Sequence, residues 1–266
     1  MRKLKLSSSK TIRESFGLES HLPVAEVPLL YGAELEIESI ASFGKVDTSL
    51  WNITEDGSLR NSGRELISVP LTKDVLIGEF KKVHQTLKYI GNQPEKAFSD
   101  RTSVHIHINC LDVQETTVRN IVLWYALYES VFFKFCAPAR EHNIHCVCLH
   151  QTSLPAYYRR ALREMHKQWS KYTALNLLPL SKYGTLEFRH LQGTNDVTLF
   201  SQWLTIIERL FSLGRSTTLT EQIVSSEEEI LKYFDVLFKD TLVYKQRSVF
   251  LQDIKNSIID LKLSFV

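Results

Sequence analysis

Alternating polar and apolar residues predict three β-strands along this chain. The segments are YGAELEIE (31–38), SVHIHINC (103–110) and YGTLEFRH (183–190). Successive side chains of a strand point to opposite faces, so each segment has one apolar and one polar face. The polar faces carry glutamates in the first segment, histidines in the second, and a glutamate with an arginine in the third. We therefore expect a sheet with one polar face, its first strand at about 30–39.

Turn residues predict a hairpin and a fourth strand between the first two segments. WNITEDGSL (51–59) has Asp56-Gly57 inside a strand-like run, which is typical of a hairpin turn. The turn residues Asn61-Ser62-Gly63 come next, and RELISVP (64–70) follows as a strand that its proline ends. This strand adds Glu65 to the candidate polar face.

Helical spacing of apolar residues predicts the covering layer. Residues 74–90 read as an amphipathic helix, and a helix at about 155–169 is predicted further along. The helix from Asp112 to about Cys136 is apolar nearly all round, so we expect it to be buried against the sheet. Asp112 and Glu115 match a capping box at its start.

The last part of the chain is predicted to be helical. Asn195 or Asp196 is expected to cap a helix at about 197–213. Two further capping boxes match Thr218 with Glu221 and Ser225 with Glu228.

These elements predict an α+β fold in which strands present one polar face and helices cover the other. Residues 1–28 have little periodicity and are expected to form an irregular lead-in. Residues 29–266 are expected to form a single domain whose part from about 195 onwards is helical.

Composition narrows the class of protein. The chain has 266 residues, 44% hydrophobic and 23% charged, as in ordinary globular proteins. Its formal charge of +2 provides no strong field for nucleic acid or an anionic membrane. It has no apolar run long enough to span a membrane and no apolar core of a signal peptide near residue 1. Because four cysteines do not suggest a disulfide framework, we expect a cytoplasmic protein. Because of the near-neutral charge and the lack of a membrane-spanning run, we expect no nucleic-acid or membrane partner.

The predicted polar face is rich in groups that bind metals and phosphates. Carboxylates are ligands for Mg²⁺, imidazole suits Mn²⁺, and an arginine offers a fork for phosphate or carboxylate. In any single strand, a face exposed to solvent would give a similar pattern of polar residues. The evidence is therefore the whole face, whose acids, imidazoles and arginine together indicate metal-assisted phosphoryl chemistry. Its members are Glu34, Glu36, Glu38, Glu65, His105, His107, Asn109, Glu187 and Arg189.

Six motifs in order carry a resemblance to a known family. They are GAELEIE (32–38), W-x4-DGSL (51–59), GRELISVP (63–70), HIHIN (105–109), KYTALNL (171–177) and GTLEFRHLQGT (184–194). The set resembles the amidoligases often encoded by phages, which are carboxylate–amine ligases related to glutamine synthetase and glutamate–cysteine ligase. The resemblance implies a curved, half-barrel antiparallel sheet with helices outside. It also implies ATP bound with Mg²⁺ or Mn²⁺, an acyl-phosphate intermediate and an amine that attacks it to form an amide.

The resemblance also assigns roles to residues. The substrates would be a small-molecule or peptide carboxylate and an amine. If a phage encodes the chain, the protein would act in the host cytoplasm. The resemblance leaves the oligomeric state open. Glu65, Glu187 and Arg189 would act in catalysis. The metal ligands would be Glu34, Glu36, Glu65, Glu187 and His107; the nucleotide would contact His105, His107 and Arg189; the substrate would contact Arg140, Asn176 and Asp56.

Several alternatives stay open at this stage. The Cys- and His-rich segment 136–150 could bind zinc, although it lacks paired cysteine knuckles. Asp56 could simply form its turn, and the basic, aromatic residues 157–163 could form a solvated helix face or hold a nucleic acid or an acidic peptide. We expect the remaining candidates to be core residues: His84, His190, Trp51, Trp124 and Trp203. At the level of function, the alternatives to a ligase are an assembly protein that keeps the fold without turnover and a metal-dependent hydrolase that uses the same face.

Overall fold

A six-stranded antiparallel sheet forms the centre of the protein in a computed structural model that describes residues 10–19, 29–152 and 160–265. The strand order is β3-β4-β1-β6-β8-β7, while β2 and β5 pair separately. The strands are β1 (Tyr31–Ile37), β2 (Ile40–Ser42), β3 (Trp51–Glu55), β4 (Arg64–Ser68), β5 (Lys88–Tyr89), β6 (Ser103–Asn109), β7 (Leu175–Asn176) and β8 (Thr185–Gln192).

Helices supply the second layer. They are α1 (Ile12–Phe16), α2 (Lys73–Thr86), α3 (Glu115–Phe135), α4 (Leu162–Gln168), α5 (Val197–Ser216), α6 (Glu221–Val224), α7 (Glu227–Phe238) and α8 (Arg247–Phe265). Helix α3 packs against α5 and α8, and α2 packs against α5 and β1. The fold is therefore α+β with an antiparallel sheet, as the alternating patterns predicted. Within the described ranges, no helix combines the length and hydropathy needed to cross a bilayer.

The hydrophobic core lies between the apolar face of the sheet and the helices. Trp51, Trp124 and Trp203 are all buried, which confirms their prediction as core residues. His190 is fully buried, and its Nε2 lies 2.7 Å from the Tyr125 hydroxyl. Burial lowers the pKa of His84 to about 4, which keeps this half-buried ring neutral among aromatic neighbours.

Several predicted boundaries were wrong. The helix predicted at 74–90 ends at Thr86, because the chain turns at Leu87 and enters the short strand β5. Asp112 does not cap α3: the helix starts at Glu115 after Gln114, and Asp112 instead pairs with Arg13 at 3.1 Å.

The predicted caps near the C-terminus were shifted in the same way. Asp196 caps α5 as predicted, but the caps of the next two helices are Thr220 and Ser226. Local sequence matches a capping box at several nearby positions, and packing selects which of them starts the helix. The helix predicted at 155–169 appears as α4, which starts at Leu162; residues 153–159, including the aromatic pair 157–158, lie outside the described residues.

The irregular lead-in was also wrong for one segment. Helix α1 has a complete capping box formed by Thr11 and Glu14, and Ile12 is fully buried in the core. The backbone amides of Ile12 and Arg13 donate to the carbonyl oxygens of Val113 and Leu111 at 2.9 Å. This segment is therefore attached to the chain that leads into α3.

Candidate active site

Strand register brings the predicted polar residues together on one face of the sheet. In the β1–β6 ladder, Glu34 is opposite His105, and in the β1–β4 ladder Glu36 is opposite Glu65. In the β6–β8 ladder, Glu187 is opposite His107. Side chains directly across an antiparallel pair lie about 5 Å apart, so residues from four separate segments become neighbours. They form two groups that share the central strand β1.

The first, which we call the histidine group, consists of Glu34, His105 and Glu187. One ligand atom from each lies within 4.8 Å of the others, an arrangement able to hold a metal ion. His105 Nδ1 lies 3.1 Å from Glu34 Oε2 and 3.5 Å from Glu187 Oε1. His107 contacts this group from the side, with its Nε2 3.1 Å from Glu34 Oε1.

The two imidazoles control the ionisation of Glu34. Burial opposes the charge on this carboxylate, but hydrogen bonds from His105 and His107 outweigh that effect and lower its pKa. Burial also disfavours the charged form of His107, yet its hydrogen bond to Glu34 and the nearby Glu187 raise its pKa. The histidine group therefore contains its own positive partners.

Further contacts hold Glu187 and His107 in place. Asn176 Nδ2 donates to Glu187 Oε2 at 2.6 Å, and the Arg189 guanidinium pairs with Glu187 Oε1. On the other side, Thr185 Oγ1 lies 2.9 Å from His107 Nδ1. Asn176 was predicted to bind substrate, but its side-chain amide is buried and used to position Glu187.

A β-bulge positions Arg189. Val104 pairs with Leu191 and Ile106 with Phe188, so two residues of β8, Arg189 and His190, are opposite His105 alone. A bulge of this kind re-aims side chains and leaves ladder groups to be bonded elsewhere. The structure shows where they go, because a buried guanidinium donates to the carbonyl oxygens of both bulge residues.

That guanidinium belongs to Arg140, which corrects its assignment to substrate binding. Its Nε donates to the His190 carbonyl at 2.9 Å and its Nη2 to the Arg189 carbonyl at 2.6 Å. Arg140 is only 3% exposed. Its position supports the bulge rather than a substrate surface.

The second, the carboxylate group, consists of Glu36, Asp56 and Glu65. Their oxygens also lie within 4.8 Å of one another. Burial, with repulsion from Glu34 and Glu36, raises the pKa of Glu65 to about 7. Within the described part of the chain, no lysine or arginine forms an ion pair with any of the three. Hydroxyl groups assist instead: Ser103 Oγ donates to Glu36 Oε2 at 2.5 Å, and Thr54 Oγ1 to Glu65 Oε2 at 3.3 Å.

The loop 56–63 brings Asp56 to this group. Asp56 Oδ1 accepts from the Ser58 amide at 2.7 Å, so it does form its turn, yet it also lies beside Glu36 and Glu65. Asp56 was predicted as a substrate residue, and the structure places it among the candidate metal ligands. Glu38 is 3% exposed and accepts from the Arg60 amide at 2.8 Å, so it anchors this loop from outside the group.

Ser103 was missed by the sequence reading. It hydrogen-bonds Glu36, and its Oγ lies 2.8 Å from His105 Nε2, which connects the carboxylate group to the histidine group. The alternation in β6 contained the information, because Ser103 shares the face of His105 and His107.

The zinc alternative for segment 136–150 is not supported by the geometry. Within the described residues, the one candidate metal group that includes residues of this segment joins Cys148 and His150 with Glu129, a residue outside it. His142 and His145 are exposed and outside the group. The buried Glu129 carboxylate accepts from the Tyr125 hydroxyl at 2.7 Å and from the backbone amides of 149 and 150. It is therefore used to hold the loop.

The donor sets of the polar face suit divalent cations. The carboxylate group offers oxygen atoms only, the preference of Mg²⁺, and the histidine group adds an imidazole nitrogen, which Mn²⁺ also accepts. Burial and the repulsion from Glu34 and Glu36 raise the pKa of Glu65, and among the described residues no lysine or arginine forms an ion pair with this group. The residues present thus fit a metal centre, with an arginine beside it.

Comparison with protein families assigns most of the chain to one family. A comparison with the curated proteins found no match. The comparison with protein families matches residues 33–211 to the family described as "putative amidoligase enzyme". The match covers about two thirds of the chain and includes β1, β4, β6 and β8, the strands that carry most of the polar face. The chain therefore belongs to this amidoligase family.

Proposed function

We propose that this protein is an ATP-dependent ligase that joins a carboxylate to an amine through an acyl phosphate. The observation that supports this most directly is the carboxylate group, with which no lysine or arginine of the described residues forms an ion pair, next to a histidine group in which Arg189 pairs with Glu187. A cluster of this kind is costly for a folded protein unless cations and phosphates occupy it. Family membership supports the amide-forming class of reaction.

Two metal positions follow from the donor sets. Glu36, Asp56 and Glu65 would hold one cation, and Glu34, His105 and Glu187 would hold the other. When bound, divalent cations neutralise phosphate oxygens and align the transferring group for attack. His107 keeps Glu34 ionised and would orient it toward the second position.

Arg189 is the residue we assign to the transferring phosphoryl group. Its Nη1 pairs with Glu187 and its Nε donates to the His145 carbonyl at 3.3 Å, so the planar guanidinium is held at both ends. A preorganised guanidinium stabilises the negative charge that develops on the equatorial oxygens. Asn176, Arg140 and Ser103 act as positioning residues behind the groups that contact substrate.

The reaction would proceed in two balanced steps. An oxygen of the substrate carboxylate bonds to the γ-phosphorus of ATP, the bond from that phosphorus to the β–γ bridging oxygen breaks, and ADP leaves. The amine nitrogen then bonds to the acyl carbon, the carbon–oxygen bond to phosphate breaks so that inorganic phosphate leaves with that oxygen, and the proton lost by the amine passes to solvent. In the first step, Arg189 would neutralise charge on the phosphoryl group, and the acidic residues would hold the cations that align it.

Thermal unfolding tests nucleotide and metal binding. We expect Mg²⁺ and ATP together to raise the melting temperature. At a hundredfold excess of ligand over its dissociation constant, binding adds about 2.7 kcal/mol to the free energy of unfolding. Neither ligand alone should give that rise, and Glu36→Gln should abolish it. Glu55→Gln is the matched control, since that glutamate is exposed on the neighbouring strand and pairs with Arg64. Absence of any shift in the wild-type protein would exclude the proposal.

Trapping of the acyl phosphate tests the chemistry. Hydroxylamine attacks acyl phosphates to give hydroxamates, so a pool of amino acids and acidic peptides can be screened without knowing the amine. We expect hydroxamate that requires ATP, Mg²⁺ and an acid, and that is lost in Arg189→Ala. ATP-independent turnover of a substrate would instead indicate the hydrolase alternative. Binding of ATP without any hydroxamate or ADP would indicate the assembly protein.

A further inference from the structure

A cavity of about 440 Å³ opens beside the histidine group. It lies at the end of the sheet where β1 and β8 begin and β6 ends, and both Glu34 and His107 line it. The rest of its wall is mostly apolar, with side chains such as Leu18, Leu30, Pro70 and Leu111. A largely apolar cavity of this size with a few polar groups at one end is typical of a small-molecule site.

Tyr183 forms a fixed aromatic wall of this cavity. The residue is 54% exposed, although its backbone amide is bonded to the Pro179 carbonyl at 2.8 Å. The next residue, Gly184, has a φ of +66° and lies so close to Leu111 that a Cβ would come within 2.3 Å of that side chain. The ring also meets the His107 ring edge-on at 6.4 Å. An exposed aromatic ring on an immobilised backbone is preorganised to stack on a planar ligand.

Lys182 supplies the positive charge at the same wall. Its Nζ lies 4.6 Å from the centroid of the Tyr183 ring, and within the described residues it forms no ion pair. The cavity thus joins an aromatic wall with a lysine to the candidate metal position at Glu34. A ligand with a flat ring at one end and phosphates at the other matches this order of groups.

We propose that this cavity binds the base and ribose of the nucleoside triphosphate, with Tyr183 stacking on the base and Lys182 close to the sugar and phosphates. This inference rests on the proposed function, because the phosphates must reach the metal positions of the polar face. It separates the nucleotide in space from the other two substrates. The nucleoside enters beside the histidine group, and the carboxylate and amine approach from the side of the carboxylate group and loop 56–63.

The experiment compares Mg²⁺-ATP with Mg²⁺-tripolyphosphate, which has the phosphates and lacks the nucleoside, by isothermal titration. We expect Tyr183→Ala to weaken ATP binding about tenfold, as loss of one base–aromatic stack typically does, and to change tripolyphosphate binding less than about twofold. Tyr183→Phe should restore ATP binding, because the ring is what stacks. Lys182→Ala should weaken ATP binding. Lys171 is the matched control, because its Nζ lies 4.9 Å from the centroid of the Tyr172 ring and outside the cavity. Lys171→Ala should therefore leave ATP binding unchanged.

The outcomes separate this inference from the proposed function. If the wild-type protein binds ATP no more tightly than tripolyphosphate, or if Tyr183→Ala weakens both ligands equally, the nucleoside does not occupy the cavity and the inference is wrong. Binding of tripolyphosphate with Mg²⁺ would in that case still support a metal–phosphate centre. If neither ligand binds with Mg²⁺, the proposed function and the inference both fail.

Discussion

The histidine group and the carboxylate group lie on the same face of one sheet, yet they balance charge in opposite ways. In the histidine group, Glu34 is hydrogen-bonded by two imidazoles and its pKa is lowered. In the carboxylate group, burial and repulsion from Glu34 and Glu36 outweigh the opposing effect of His105 and raise the pKa of Glu65 to about 7. The first group is organised by the protein itself, whereas the second, under the proposed function, takes its cation from solution.

This difference identifies the group of residues that metal binding would stabilise. A group with internal partners keeps its geometry without metal, and a group of repelling carboxylates is stabilised when a cation binds. The same substitution, glutamate to glutamine, should therefore have opposite effects on the metal-free protein in the two groups.

The largest effect is expected in the histidine group. Glu34→Gln removes the charged acceptor of His105 and His107, and hydrogen bonds to charged groups contribute about 1.5–3 kcal/mol each. We expect the metal-free variant to lose about 2–3 kcal/mol of unfolding free energy and all ligase activity. Urea unfolding measures the first quantity and hydroxamate formation the second. A variant as stable as the wild type would show that the imidazoles do not depend on Glu34.

In the carboxylate group, the change of glutamate to glutamine is expected to raise the free energy of unfolding of the metal-free protein. The folded-state pKa of Glu65, about 7, is above its ordinary value of 4.5, so the cost of ionising it, from burial and from repulsion by Glu34 and Glu36, is absent below pH 4.5 and complete above pH 7. Wild-type stability without metal should contain a contribution that falls as pH rises through this window. Glu65→Gln should remove it and gain about 1–2 kcal/mol at pH 8, allowing for solvent screening of this half-buried group.

The gain in stability is measured by unfolding the variants Glu65→Gln and Glu55→Gln. Each is unfolded at pH 5 and pH 8, with and without Mg²⁺. The exposed Glu55 should give no gain at either pH. The Glu65 variant should also lose the stabilisation by Mg²⁺. A loss of stability at pH 8 in the metal-free variant would contradict the assignment of Glu65 to an unbalanced group.

A smaller effect is expected from the loop that carries Asp56. Glu38 accepts from the Arg60 amide, so Glu38→Ala, which removes the acceptor, should weaken Mg²⁺ binding about tenfold by loosening the loop, as loss of an outer partner of a ligand typically does. If Glu38 acts through Asp56, the double variant Glu38→Ala/Asp56→Asn should bind Mg²⁺ no worse than Asp56→Asn alone. Additive losses in this cycle would mean that Glu38 acts independently.

The smallest effect is expected at Glu129, Cys148 and His150, the third cluster with metal-binding residue types. Its carboxylate already accepts hydrogen bonds from a hydroxyl and two amides, and burial raises the pKa of Cys148 to about 12. We expect added Zn²⁺ to shift the melting temperature by less than about 1 °C, and His150→Ala to leave this result unchanged. A rise of several degrees that requires His150 would restore the zinc alternative.

Particular residues show how far sequence reading reached into the site. Alternation placed Glu34, Glu36, His105, His107 and Glu187 on one polar face, because a strand exposes the same face at every second residue. The roles of Arg140 and Asn176 could not be read in this way. Arg140 acts on a bulge that exists only in the β6–β8 pairing, and the amide of Asn176 meets Glu187 only through the β7–β8 pairing.

The sequence by itself determined the four strands of the polar face, the buried helix α3 and the family, since hydrophobic periodicity and motif order are local properties of the chain. Tertiary structure decided the division of that face into two groups, the move of Asp56 from turn residue to candidate ligand, and the cavity beside His107. These features depend on pairing register and on loop paths, which bring together residues far apart in sequence. The period of a strand specifies which face a side chain takes, and only the fold specifies its neighbours there.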